Sequence, residues 1–169
     1  MHGVKPLALL SLFALSISCA SPPPPKSQPS ELLDQRPPPF ETRTLSDKVV
    51  SSDSFGGHPV VLAFVKTDCA PCERMLEATT AVFHDNERTV AWAIFSPGDD
   101  KKVKSFAAKT GLEYPVVIDE QERLKKLFLV SSVPTAVVLD SLGFIRWMSG
   151  PEVTASQLGQ VVAEATKTK

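Results

Sequence analysis

The tetrapeptide Cys69-Ala70-Pro71-Cys72 lies between a continuous apolar run, Val60-Val61-Leu62-Ala63-Phe64-Val65, and a segment of helical spacing that continues to Phe83. That placement restricts the fold more than any other feature of the chain. The run follows Gly56-Gly57-His58-Pro59 and is apolar at every position, which predicts a central strand covered on both faces. On the helix that follows, Met75, Leu76, Thr79 and Phe83 fall on one inner face. A doubly buried strand feeding straight into a helix requires helices layered on a sheet, the α/β class.

The same placement gives the cysteines a chemistry. A helix N-terminus carries unsatisfied N–H groups and partial positive charge, and both stabilise a thiolate. The thiolate is the form that attacks disulfides. Two intervening residues bring the second sulfur round one helical turn onto the first, and Pro71 is tolerated because first-turn amides have no intrahelical partner. The spacing therefore predicts Cys69 as the exposed nucleophile and Cys72 as the more buried resolving thiol. A structural zinc site is the competing reading. Zinc takes four ligands, whereas the chain offers one such pair and three scattered histidines, His2, His58 and His84. No metal or other cofactor is expected.

Alternating strand and helix signals continue downstream. Val90 to Phe95 reads as a second buried strand closed by Ser96-Pro97-Gly98. Asp99 and Asp100 open a helix that runs through Ala108 and ends by Gly111, since acids suit a helix start. Pro115 to Ile118 predicts a short strand and Glu120 to Phe128 a helix. Thr135 to Leu139 and Phe144 to Met148 predict a hairpin around Asp140-Ser141-Leu142-Gly143. Thr154-Ala155-Ser156-Gln157 has the capping-box spacing that starts a last helix.

The first forty residues have a different character. Residues 1–18 have the form of a signal peptide, with Leu7 to Ile17 as an apolar core shorter than the ~20 residues that span a bilayer. Leu15-Ser16-Ile17-Ser18-Cys19 resembles a bacterial lipobox, with Ser16 where Leu is usual. That resemblance implies that Cys19 is lipidated and becomes the mature N-terminus. Cleavage after Ala20 and a core helix with a buried thiol are the alternatives. Residues 19–39 include SPPPPKSQPSELLDQRPPP, a polyproline-rich stretch expected to act as a tether of about 3 Å per residue rather than as a ligand for a Pro-binding domain. Residues 40–169 are then the folded domain. A net charge of −1 with a pI near 6.3 removes the electrostatic basis for nucleic-acid binding.

From Pro39 onward the chain resembles the TlpA/ResA-like family of membrane-tethered, thioredoxin-fold proteins. Four stretches carry the likeness: Phe40 to Gly57 with Gly57-His58-Pro59-Val60-Val61-Leu62-Ala63-Phe64; the cysteine pair; Lys104 through Gly111, Tyr114-Pro115-Val116 and Asp119; and Val133-Pro134-Thr135 followed by Leu139-Asp140 and Gly143. The resemblance implies a thioredoxin-like fold with an N-terminal hairpin and a central helix-strand insert. It implies a cis Pro134 against the cysteines, forming a site of Cys69, Cys72 and Pro134. It further implies thiol–disulfide exchange with exported proteins, at the bacterial envelope and fed by a membrane thiol electron donor.

Three positions depart from the family pattern. Asp68 stands where Trp usually precedes the first cysteine, and a carboxylate there disfavours a Cys69 thiolate. Met75 and Ala63 stand where the family or thioredoxin places an acid, so Glu73, Glu77 and Asp68 are the remaining proton acceptors for Cys72. Two other functions compete. A peroxiredoxin-like thiol peroxidase normally has a Pro-and-Thr pattern, whereas Thr67 lies two before Cys69. A Sco-like envelope copper carrier uses CxxxC and a distant His.

Overall fold

The computed structural model describes residues 23–55 and 57–167. Residues 1–18, read as a signal peptide, and Cys19 lie outside the described residues. A two-stranded antiparallel hairpin, β1 (Glu41–Arg43) and β2 (Val49–Ser51), precedes the main sheet. The main elements then follow as β3 (Val60–Val65), α1 (Ala70–Asp85), β4 (Val90–Phe95), α2 (Asp100–Thr110), β5 (Val116–Ile118), α3 (Arg123–Leu127), β6 (Thr135–Leu139), β7 (Ile145–Met148) and α4 (Ala155–Lys167). This is the thioredoxin-like α/β architecture expected from the sequence, with the hairpin and the α2–β5 insert in place.

The five-stranded sheet has the order β5-β4-β3-β6-β7. Strands β3, β4 and β5 are parallel, while β6 and β7 add as antiparallel neighbours. Every residue of β3 is fully buried. Alternate side chains of a strand point to opposite faces, and the two cores divide accordingly. Val61, Ala63 and Val65 pack with Met75, Leu76, Val103, Leu158 and Val162 beneath α1, α2 and α4. Val60, Leu62 and Phe64 pack on the other face with Phe40, Phe55, Trp92, Leu124 and Phe128. Each large side chain buried there contributes roughly 1.5–3 kcal/mol. Edge-to-face contacts, such as Phe40 on Trp92 at 6.0 Å and Phe40 on Phe128 at 5.6 Å, tie the N-terminal hairpin to this second core.

Local chemistry explains the element ends. Asp99 caps α2 by accepting from the Lys102 N–H at 2.9 Å, and Gly111 closes it in the left-handed region at φ 62°. Thr154 and Gln157 make the reciprocal capping pair at the start of α4. Gly98 is required by close approach, because a Cβ there would lie 2.8 Å from the Phe95 carbonyl oxygen. One helix is shorter than the sequence implies. The Glu120 to Phe128 segment becomes helical only at Arg123–Leu127. The buried Asp119 carboxylate accepts from the N–H groups of Leu124 and Lys125 and from the Ser96 hydroxyl. Residues 120–122 turn to permit this, with Glu122 at φ 52°.

Part of the proline-rich stretch packs on the domain. Residues 25–35 lie along the outer edge of β7 instead of standing free. The N–H groups of Gln28 and Asp34 donate to the carbonyls of Met148 and Ile145, both at 2.8 Å, and the Ile145 N–H donates to Gln35 at 2.9 Å. The Trp147 indole donates to the Pro25 carbonyl, and the Met148 N–H to the Ser27 hydroxyl. Arg146 bridges Asp34 and the buried Asp140, each at 2.7 Å. Leu32 and Leu33 pack against the second core. The physical reason is the edge itself. An edge strand exposes unpaired N–H and C=O groups, and Ser-Glu-Leu-Leu-Asp-Gln supplies partners and two apolar side chains between proline runs.

Two measurements follow from this packing. A chain beginning at Phe40 should be less stable to denaturant than one beginning at Pro23 by roughly 2–4 kcal/mol, from two partly buried leucines and several backbone bonds. Equal stabilities would show that the docked segment contributes nothing. The second concerns Tyr114, the one tyrosine of the sequence. It is buried against α1, with its hydroxyl 3.1 Å from Thr80 Oγ1. Burial raises its pKa above the ordinary value of 10.0, and the Thr80 hydrogen bond offsets this in part. Absorbance at phenolate wavelengths should therefore titrate above that value in the folded protein. Because folding favours the protonated form, its contribution to stability is present below pH ~10 and lost as pH rises through the folded pKa. A folded-state midpoint at or below the ordinary value would contradict the burial.

Candidate active site

Strand β3 ends at Val65, and a three-residue loop, Lys66-Thr67-Asp68, carries the chain to Cys69. Cys69 is the N-cap of α1, with extended backbone at φ −142° and ψ 97°. Its carbonyl accepts from the N–H groups of Cys72 and Glu73 at 2.9 and 3.1 Å, and its Sγ lies 3.3 Å from the Cys72 nitrogen. Pro71 occupies the first turn, where a missing N–H costs nothing. Cys69 and Cys72 are joined as a disulfide with Cα atoms 5.2 Å apart. Cys69 is half-buried, whereas Cys72 is 1% exposed and belongs to the first core. The two sulfurs thus differ in burial.

Pro134 reaches the same region by register. Phe64 pairs with Thr135 across β3 and β6, so Pro134 comes level with Val65, at the edge from which the cysteine loop departs. It is buried and its bond to Val133 is cis. Ser96 holds the other side of that edge, donating its N–H to the Val65 carbonyl at 2.8 Å, and Ser96–Pro97 is also cis. In sequence, Ser96-Pro97-Gly98 reads only as the end of a strand.

The departures noted in the sequence take definite form here. Ala63 and Met75 are buried with Cys72 and leave an apolar floor beneath the pair. Glu73 and Glu77 are exposed. Asp68, read in sequence as a carboxylate that disfavours a Cys69 thiolate, is ion-paired. Lys102 Nζ lies 3.0 Å from Asp68 Oδ2. The Asp68 backbone is in the left-handed region at φ 56°, which Asp tolerates better than most residues. The Lys102 pKa is raised, first by its hydrogen bond to Asp68 and then by that carboxylate's charge, with Asp99 adding a smaller effect.

Lys102 is a site residue that sequence reasoning missed. The two partners are 34 positions apart. They meet because adjacent parallel strands send their following loops to the same edge, so the loop after β3 borders the first turn of α2. Between α1 and α2 a groove of about 890 Å³ opens from this point, with Thr67, Asp68 and Lys102 at one end and Leu76 and Phe106 among its apolar lining.

Neither His58 nor His84 lies near the sulfurs. His58 precedes β3, at the far end of a six-residue strand from the cysteine loop, roughly 20 Å away at strand rise. His84 lies near the end of α1, about four helical turns from Cys69, some 20 Å along the axis. Among the described residues no group of three or more His, Cys, Asp or Glu is gathered to hold a metal ion.

Comparison with known proteins identifies the family. The model of the AhpC/TSA family matches residues 33–148. Thioredoxin-like protein YneN of Bacillus subtilis is 29% identical over 130 residues, covering 75% of this chain and 76% of its own. Thiol-disulfide oxidoreductase ResA of Geobacillus thermodenitrificans is 26% identical over 125 residues, covering 73% and 72%. In fold, the chain superposes on StoA from Bacillus subtilis with a TM-score of 0.63 at 23% identity, over 74% of this chain and 96% of that one. A thiol:disulfide interchange protein of the thioredoxin family from Chlorobium tepidum gives 0.67 at 22% identity, over 82% and 99%. With its cysteine pair at the head of α1, the chain belongs to the AhpC/TSA family and is similar to ResA-type thiol–disulfide oxidoreductases of thioredoxin fold.

Proposed function

We propose that this protein reduces disulfides of exported proteins, with Cys69 as nucleophile and Cys72 as resolving thiol. The observation that carries the reading is the asymmetry of the pair: a half-buried Cys69 at the N-cap of α1 and a buried Cys72 one turn on. In the dithiol form, the Cys69 thiolate attacks one sulfur of a client disulfide. A Cys69–client bond forms, and the other client sulfur leaves as a thiolate. Cys72 then gives up its proton and attacks Cys69 Sγ, releasing the second client thiolate and forming the Cys69–Cys72 disulfide. Two electrons pass to the client, and a membrane dithiol restores the reduced pair. Pro134, level with Val65, is the position beside which an extended client segment lies in the mixed disulfide.

We also propose that the protein works at the bacterial envelope, lipidated at Cys19. No helix among the described residues is long and apolar enough to cross a membrane. The docked segment sets the end of the domain from which such an attachment would leave. Its order along β7 runs from Gln35 at Ile145 back to Gln28 at Met148, so the chain leaves the domain toward the end of β7 nearer Pro134. That is also the end of the sheet at which the cysteine loop lies. An attachment leaving from that end suits a membrane thiol donor.

The cysteine roles are tested by trapping. Cys72→Ser should accumulate mixed disulfides with envelope proteins on non-reducing gels, and Cys69→Ser should accumulate none. Trapping by the Cys69→Ser form alone would reverse the roles, and full reductase activity in both variants would sink the mechanism. Attachment is tested by fractionation. The mature protein should sediment with membranes, and Cys19→Ser should release it or block its processing. A wild-type protein found wholly soluble and starting at Ser21 would exclude the lipid anchor.

A further inference from the structure

We propose that Lys102 is a positioning residue for the exchange reaction: it holds the Asp68 carboxylate and cancels that charge beside the Cys69 sulfur. The inference rests on the reading of Cys69 as nucleophile. Three observations lead to it.

The first is the ion pair itself, which links the loop before Cys69 to the first turn of α2. Both side chains are largely exposed, at 62% and 78%, and pairs so exposed contribute little to folding. Stability therefore does not account for the arrangement. The second is the placement of the lysine. A cation in the first turn of a helix opposes the helix dipole, so α2 gains nothing from Lys102 at that position. The third is the backbone of Asp68, held at φ 56° immediately before the N-cap. Non-glycine residues in that region concentrate where surrounding structure holds them for a purpose.

The other charged groups bordering the groove are Glu73, Glu77 and His84 of α1 and Lys109 of α2, with Asp99 acting on Lys102. Among the described residues neither Glu73 nor Glu77 forms an ion pair, and both stand further along α1 from the Cys69 N-cap. Asp68 is the carboxylate adjacent to Cys69 in the chain, and Lys102 is its cation. Without Lys102 the favourable field at the head of α1 would be opposed by a full negative charge. With it, the helix terminus acts on the thiolate alone. At pH values below the Cys69 midpoint, each unit of upward shift cuts the thiolate fraction tenfold. The greater nucleophilicity of a more basic thiolate restores part of this, leaving roughly a three- to fourfold loss of rate.

The test uses the reduced full-length chain carrying Cys72→Ser, with iodoacetamide alkylation followed against pH by the mass of the tryptic peptide Thr67 to Arg74. Lys102→Gln should move the alkylation midpoint upward by about 0.5–1 unit, and Asp68→Asn should move it downward by a similar amount. The double variant should return close to the starting value, and Lys102→Arg should leave it in place. Opposite signs that cancel are not produced by a merely structural role. A Lys102→Gln midpoint equal to that of the parent, or a shift in the same direction for both single changes, would overturn the proposal. Mixed-disulfide trapping by Cys72→Ser distinguishes the two levels. If trapping fails, the oxidoreductase reading falls with the proposal; if it persists with a flat alkylation profile, only the role of Lys102 is lost.

Discussion

Burial of β3 on both faces is the constraint on which the active edge depends. Val61, Ala63 and Val65 are enclosed by the helices of one layer, while Val60, Leu62 and Phe64 are enclosed by the aromatic cluster of the other. A strand held from both sides and paired with β4 and β6 has little freedom. The loop that leaves its end therefore delivers Cys69 to one position. Because β4 and β6 flank β3, the residues at their corresponding ends, Ser96 and Pro134, become neighbours of that position without any sequence proximity. The redox pair is built at the place where three strands end together.

The chemistry at that edge is divided between backbone and side chains. The N-cap geometry of Cys69 and the open N–H groups of α1 stabilise negative charge on sulfur, a backbone effect that every helix offers at its start. The side chains then set how much of it survives. Beneath Cys72 the surroundings are apolar, with Ala63 and Met75 in the same core, so no buried carboxylate lies among them. Beside Cys69 the one adjacent carboxylate is matched by Lys102. The site thus relies on the helix terminus and on charge compensation rather than on a dedicated buried acid.

The second structural theme is the management of the exposed sheet edge. Strand β7 would present unpaired backbone groups to solvent, and residues 25–35 cover them. Arg146 reinforces the cover by joining Asp34 to Asp140, whose carboxylate also accepts from the N–H groups of Leu142 and Phe144 in the β6–β7 turn. The covering segment therefore serves the domain's fold, and it determines from which end the chain departs.

Much of the molecule was legible in the chain itself. The apolar run Val60–Val65, the cysteine pair after it, the Thr154–Gln157 cap and the Gly111 stop are local signals, because period, capping and backbone restriction act over a few residues. They determined the fold class, the order of elements and the two sulfurs of the site. What tertiary structure decided was every relation between distant segments. The proline-rich stretch carried no local sign that Leu32, Leu33 and Asp34 would find an edge strand more than a hundred residues away. Asp119 shortened α3 by reaching N–H groups five and six residues on. The partner of Asp68 was not legible because that cation lies 34 residues further along, across a parallel crossover. Sequence encodes such pairings only through the packing that brings them together, and that packing is a property of the whole sheet.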